Sequence, residues 1–256
     1  MRACSAARTL AVAIALVPFV ACGSESGAGD PCSRLDLSSI GQATVKAYAE
    51  AVAALRSKFG EIEGRVFHAC DAMNTTLALG RPGNTYEACA TFRARVNEAR
   101  DAGAHIALQV SPSCTVDSAA RNRCEDKCQL ESCASAECPE SAPCRDACSA
   151  LGEAGVECTA ETVAVTSDVD AELGNAISRN AGEWGTLDSL VAALEPTVTE
   201  IGPPMLAYAQ TADVIGKDEQ DCYEEALGNL GVALISFDAS RDGLASLPSV
   251  FTKPTN

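Results

Sequence analysis

Fourteen cysteines and two histidines are the residues of this chain best suited to chemistry. Cysteine sulfur can bridge, ligate zinc or exchange electrons, and spacing and compartment decide which. Cys114 and Cys158 lie equally far from position 136, as do Cys124 and Cys148, and Cys128 and Cys144, while Cys133 and Cys138 centre half a residue away. Two strand-like runs, Ile106–Val110 and Thr162–Thr166, centre on the same point. A chain folded back at 136 brings every one of these pairs face to face. The spacing therefore predicts an antiparallel hairpin with nested bridges Cys114–Cys158, Cys124–Cys148, Cys128–Cys144 and Cys133–Cys138, closed at its base by a two-stranded ribbon. Cys124 and Cys128, like Cys144 and Cys148, stand at i and i+4, on one face of a helix. The rival is a tetrahedral Cys4 zinc site, although zinc ribbons favour closer knuckles of the CX2C kind.

The paired CX3C segments resemble the twin CX3C helical hairpin of the small mitochondrial intermembrane-space chaperones. The resemblance spans about 25 residues, and those proteins lack the flanking ribbon and the long helices expected here. Outside the block, Cys70 and Cys89 flank a turn at 80–84 and are placed to staple a helical hairpin. Cys32 and Cys222 then remain and are paired by elimination.

Other chemistry finds little support. His68 sits off an apolar seam and His105 precedes a strand, so both read as surface residues. No Gly-x-Ser-x-Gly, Walker loop, dinucleotide fingerprint or His-Glu-x-x-His is present. Asp168, Asp170 and Glu172 lack the loop glycine and spacing of a calcium site; like Asp218, Glu219 and Asp221, they read as acids that complement a helix N-terminus. No catalytic residue, metal or cofactor is expected. The dithiols carry no Cys-x-x-Cys on a thioredoxin-like pattern.

At the N-terminus, Arg2 and Arg8 precede an apolar run, Thr9–Ala21, of 13 residues. A bilayer span needs about 20, and a signal peptide needs fewer. The run ends Phe19-Val20-Ala21-Cys22, which resembles the lipobox of bacterial lipoproteins, with Phe19 where leucine is usual. The resemblance implies cleavage before Cys22, lipidation of that cysteine, and outer-membrane sorting, since Gly23 rather than Asp follows it. The alternative is an ordinary secretory signal with Cys22 free or bridged. Gly23–Asp30 has the composition of a flexible tether. Loss of residues 1–21 removes Cys4, and lipidation occupies Cys22. An even set of twelve cysteines remains, and the net charge moves from −16 to −18 as Arg2 and Arg8 leave. The lipobox, the Ala/Gly/Arg-rich composition and the central cysteine block together resemble cysteine-rich lipoproteins of myxobacteria.

The elements that must position these cysteines are helical. Hydrophobic residues make up 47% but aromatics only 4%, a mix of alanine and aliphatics that favours helices. Val45, Tyr48, Val52, Leu55, Phe59, Ile62, Val66, Ala69 and Met73 alternate steps of three and four, a heptad seam. Ser39 with Gln42 caps its start, and Leu79-Gly80-Arg81-Pro82 stops it. Gly60 and Gly64 inside it suggest a close helix crossing. The seam either packs on the chain's own later helices, which is the reading favoured, or pairs with a second molecule. Asn84 with Glu87 opens a second helix ending near Asp101. Ser167 with Asp170 opens a third, whose seam Leu173, Ile177, Asn180, Trp184, Leu187, Val191, Leu194, Val198 and Ile201 carries Asn180 as a register-fixing polar residue. Pro196 implies a kink and Gly202-Pro203-Pro204 a break; Met205–Ile215 resumes as helix, and the last helix starts near Asp218.

The expected fold is mainly α: a long antiparallel, coiled-coil-like helical bundle with a small disulfide-rich module carrying a two-stranded antiparallel ribbon. Residues 1–21 form the signal, 22–37 the lipidated tether, 38–103 a helical hairpin, 104–167 the disulfide module and 168–256 the helices that complete the bundle. A charge of −16 excludes nucleic acid and electrostatic adhesion to anionic headgroups. The leading functional expectation is a non-catalytic outer-membrane lipoprotein, attached through its lipid, with a binding or scaffolding role toward an unidentified protein partner. The alternative is a periplasmic chaperone or carrier of apolar ligands, and an enzyme or redox protein comes third.

Overall fold

In the computed structural model the described residues are 30–35, 37–80, 82–129, 141–211 and 216–245. Cys4, the lipidation candidate Cys22, most of the tether, the pair Cys133 and Cys138, and the tail beyond Pro248 lie outside them. The protein is mainly α, with one two-stranded antiparallel sheet. The helices are α1 (Ile40–Thr76), α2 (Thr85–Asp101), α3 (Ser118–Glu125), α4 (Ala142–Ala154), α5 (Ala171–Glu200), α6 (Gly202–Thr211) and α7 (Lys217–Ala245). Strands β1 (Ile106–Thr115) and β2 (Glu157–Ser167) enclose α3 and α4.

Helix α1 is the spine. Ser39 caps it, its hydroxyl accepting from the Gln42 N–H at 3.2 Å, and Gln42 reaches back one residue further than a standard capping box, to the Ser38 N–H at 3.1 Å. The helix ends at Thr76, earlier than the Leu79 expected from sequence. Ala78 there takes a positive φ of 53°, and the Asn74 carbonyl captures the Leu79 N–H at 2.9 Å, a left-handed close of the Schellman kind. Each seam residue from Val45 to Met73 is at most 6% exposed. What covers the seam is the chain itself: α7, α4, α2 and α5 all pack on α1. Phe237 of α7 meets Phe59 edge to face at 5.2 Å, and Trp184 of α5 meets Phe92 of α2 at 5.3 Å. Burying a side chain of the Leu, Ile, Phe or Met kind contributes about 1.5–3 kcal/mol, so the seam is a large part of the core.

The ribbon is longer than its sequence pattern and is shifted by one residue at its outer end. Cys114 faces Cys158 and Thr115 faces Glu157, but beyond an irregularity at Ser111/Pro112 the pairing becomes Val110 with Val163 and Ile106 with Ser167. The mirror about 136 thus holds only for the inner rungs. Pro112 has no N–H to give the ladder, and bulges absorb such gaps. The shift sets Leu108 opposite Val165; an unshifted register would set it opposite Ala164.

Several local expectations change. Ser167 closes β2, and Asp170 is the cap of α5, accepting from the Leu173 N–H at 2.9 Å. Asn180 does not fix register across the seam. Its amide donates to the Ala176 carbonyl of its own helix at 2.9 Å, and the neighbouring Ala181 is the buried residue. Helix α5 continues through Pro196 to Glu200. Pro203 and Pro204 fall in the first turn of α6 rather than between helices, where the missing N–H costs little. A Cβ added at Gly60 or Gly64 would meet nothing within 4 Å, so neither marks a helix crossing. Close approach occurs instead at Gly152 of α4, where a Cβ would lie 2.8 Å from Arg121 Cβ and 3.1 Å from the Asp117 carbonyl.

These contacts give opposite signs for the same substitution. Gly60→Ala and Gly64→Ala should each stabilise by about 1 kcal/mol, the helix-propensity difference. Gly152→Ala should destabilise by roughly 1–3 kcal/mol through overpacking. Urea titrations of the three variants check this, and stabilisation by Gly152→Ala would contradict the close approach of α3 to α4.

Candidate functional site: the disulfide hairpin and the cleft beneath it

The hairpin is built outward from two stacked bridges. Cys124 at the end of α3 is bonded to Cys148 of α4, and Cys128 to Cys144, with Cα separations of 5.4 and 5.9 Å. Cys128 lies not in the α-helix but in a 3-10 turn, Asp126–Cys128, that tightens the end of α3. Cys114 and Cys158 bridge the ribbon at a Cα separation of 4.1 Å, below the usual span of about 4.4–6.8 Å; the two residues face each other directly on adjacent strands. Cys70–Cys89 joins α1 to α2 at 5.0 Å, and Cys32–Cys222 joins the 3-10 turn Pro31–Arg34 to α7 at 4.6 Å.

Sulfurs of Cys128, Cys144 and Cys148 crowd within 4.8 Å of one another, and Cys128 Sγ lies 3.5 Å from Cys148 Sγ. Zinc–sulfur bonds of about 2.3 Å would set tetrahedral thiolates roughly 3.8 Å apart. The sulfurs stand instead in bonded pairs, Cys124–Cys148 and Cys128–Cys144.

Ion pairs fasten the hairpin to the spine. Lys58 of α1, its side chain 9% exposed, meets Glu157 at the start of β2 at 2.6 Å. Lys127 beside Cys128 meets Glu50 of α1 at 3.2 Å. On the α5 side, Thr197 donates its hydroxyl proton to Glu153 of α4 at 2.6 Å.

Against α4 lies a cleft of about 280 Å3, lined by Tyr48 of α1, by Asp146, Ser149, Ala150 and Glu153 of α4, and by Thr197, Glu200, Ile201 and Pro204. Tyr48 is a seam residue and only 1% exposed, yet its hydroxyl has no hydrogen-bond partner. Its neighbour Tyr223 does better, donating to the Met205 carbonyl at 2.9 Å. Burial first, then the Asp146 carboxylate and the phenol groups of Tyr223 and Tyr208, push the Tyr48 phenol up to about 12. The lining holds three carboxylates and no basic side chain.

The sequence gives no sign of this cleft. Tyr48 reads as one more apolar residue of the seam, although a tyrosine there always brings a hydroxyl that needs a partner. The carboxylates come from α4 and the end of α5, far apart in the chain. The residues singled out from sequence are elsewhere. His68 and His105 are exposed. The Asp168 carboxylate accepts from the His105 N–H, and Asp170 caps α5 while pairing with Arg95 at 2.7 Å. Asp218 pairs with Arg34 at 3.4 Å.

A buried hydroxyl without a partner costs about 1–3 kcal/mol. Tyr48→Phe should therefore stabilise the fold by about 1 kcal/mol in urea titration at neutral pH. Because the folded-state phenol titrates above its ordinary 10.0, the stability linked to Tyr48 is fully present below pH 10 and is lost as pH rises toward about 12. The Phe variant should lose less stability than the parent across that window. An equal loss in both would remove Tyr48 from the linkage.

Compared with protein-family models, curated proteins and solved structures, the chain matches none.

Proposed function

We propose that this chain is an envelope lipoprotein, attached at the outer membrane through Cys22, whose folded part serves as a non-catalytic binding or scaffolding body. The observation that carries the scaffold reading is the closed seam of α1, wrapped by four helices of the same chain with every seam residue buried. A bundle packed this way offers a rigid outer surface rather than an apolar interior. The carrier reading is less well supported. The cleft at Tyr48 is rimmed by carboxylates, and two further clefts, of about 200 and 350 Å3, are lined by charged residues such as Lys46 and Glu50, or Arg95 and Asp168. Apolar cargo is held by predominantly apolar pockets.

Export is supported by five disulfides among the described residues, since a reducing cytosol would not maintain them. Among the described residues no helix is long and apolar enough to cross a membrane, so the anchor rests on the apolar run Thr9–Ala21 and Cys22. Two acyl signals hold a protein at a bilayer far more firmly than one chain.

Membrane fractionation of cells expressing Cys22→Ser tests the anchor. The variant should move from the membrane to the soluble fraction, and the parent's N-terminal peptide should carry acyl mass. A variant that stays in the membrane fraction would overturn the lipoprotein reading. Native mass spectrometry of the parent should show no bound lipid beyond the covalent acyl groups; stoichiometric co-purified lipid would favour the carrier.

A further inference from the structure

The cleft under the hairpin has an occupant chemistry of its own, and it does not depend on where the chain is anchored. Three features of it converge. First, Asp146, Glu153 and Glu200 line it with no basic residue among them. None of the three has a salt bridge among the described residues. Arg121, close enough to feel Glu153, is itself paired with Glu125 at 2.7 Å. Second, Glu153 is held in place: Thr197, 5% exposed, donates to its Oε2 at 2.6 Å, which leaves the other oxygen for a ligand. Third, the Tyr48 hydroxyl is buried without a partner at the same cleft. A native structure retains an unsatisfied buried group when something else satisfies it or when it serves a function.

The kind of cation follows from the spacing and the walls. Groups of three metal-ligating atoms lying within 4.8 Å of one another occur at two places among the described residues, and Asp146, Glu153 and Glu200 form neither. Calcium needs six to eight oxygens converging at about 2.3–2.6 Å, and these carboxylates are too dispersed for that. Ala150, Ile201 and Pro204 give the cleft apolar wall between the acids. Dispersed carboxylates with apolar surface between them fit a molecule with separated charges and a hydrocarbon stem.

We propose that this cleft binds a short alkyl diammonium or aminoalkyl group, its ammonium ends on Asp146, Glu153 and Glu200, its stem on Ala150, Ile201 and Pro204, and the Tyr48 hydroxyl accepting from an ammonium. The ligand donates every proton in this arrangement: ammonium carries three donors, carboxylates only accept, and the tyrosine oxygen accepts one. Asp146 and Glu200 are exposed, so a cation meets them directly from solvent, while contact with the buried Tyr48 hydroxyl needs a small local opening of the cleft floor. The net charge of −16 raises the local concentration of any such cation.

The test is calorimetric titration of the full, disulfide-intact chain with 1,4-diaminobutane at physiological ionic strength, with calcium and butylamine as parallel ligands. Saturable binding of one diamine is expected, weakened at least tenfold by Glu153→Gln and by Asp146→Asn. Asp101→Asn, which removes an exposed acid outside the cleft, should change affinity by less than twofold. Tyr48→Phe should weaken binding severalfold while its unfolding midpoint stays at or above the parent's, so loss of fold cannot account for loss of ligand. Butylamine, with one charge, should bind at least tenfold more weakly than the diamine. The proposal is overturned by absent saturable binding in the parent, by an equal loss in Asp101→Asn, by unchanged affinity in Glu153→Gln, or by calcium competing at equal or lower concentration.

Discussion

Burial of one continuous apolar seam on α1 is the constraint that the other elements obey. A helix of 37 residues cannot keep such a stripe in water, and no single partner of ordinary length covers it. The chain solves this with four partners: α7, α2 and α5 pack on it, and α4 is brought in from the hairpin. Helix α4 is short, with only 13 residues and a proline in its first turn. A helix of that length is marginal alone in water. Its place on α1 therefore depends on what holds α4 itself, which is the pair of bridges to α3 and to the 3-10 turn after it.

The disulfides act at two scales. Cys32–Cys222 spans 190 residues and ties the entrance of α1 to α7. On the chain-entropy account a loop of that size is worth about 5 kcal/mol if it is the only crosslink. The three described hairpin bridges are nested, so once Cys114–Cys158 is closed the inner pairs restrict a chain that is already confined, and their entropic contributions do not add. What they contribute beyond entropy is placement. Stacked at 3.5 Å between neighbouring sulfurs, they replace the apolar side chains that so small a module lacks room for. Buried Cys124, Cys128, Cys144 and Cys148 are its core.

The parts of this arrangement that were legible in the sequence are those governed by a period. The seam of α1 follows steps of three and four, and its residues are the buried ones. The mirror spacing of the cysteines is met by Cys114–Cys158, Cys124–Cys148 and Cys128–Cys144 in the structure. Where the reading departs from the structure, a local hydrogen bond or a backbone constraint outweighed the period. Pro112 moves the outer ribbon by one rung, Asp170 rather than Ser167 finds the free N–H groups of α5, and Asn180 satisfies its amide on its own helix instead of across the seam. Gly60 and Gly64 look like crossing points only because glycine is permissive anywhere; glycines that a neighbour does crowd, Gly152 and Gly155 among them, stand at the end of α4. The cleft had no pattern at all to betray it. Its walls come from α1, α4, α5 and α6, and only tertiary packing puts Tyr48 in one lining with Asp146 and Glu153.

That placement has a physical logic. A hydrophobic seam would be more stable with phenylalanine at position 48, as it has at Phe59, since the ring is equally apolar and no hydroxyl would be stranded. Tyrosine at this seam position places a polar residue at a cleft lined by three carboxylates. No lysine or arginine lines the cleft beside those carboxylates. Lysines do hold the hairpin to α1, but away from the cleft, where Lys58 meets Glu157 and Lys127 meets Glu50. The ion pairs secure the hairpin, and the cleft keeps a lining of carboxylates without a basic side chain. A neutral, well-packed junction would hold the hairpin at least as firmly, so rigidity alone does not account for the residues found there. A site that draws in positive charge from solvent accounts for both the missing lysine and the unpartnered hydroxyl.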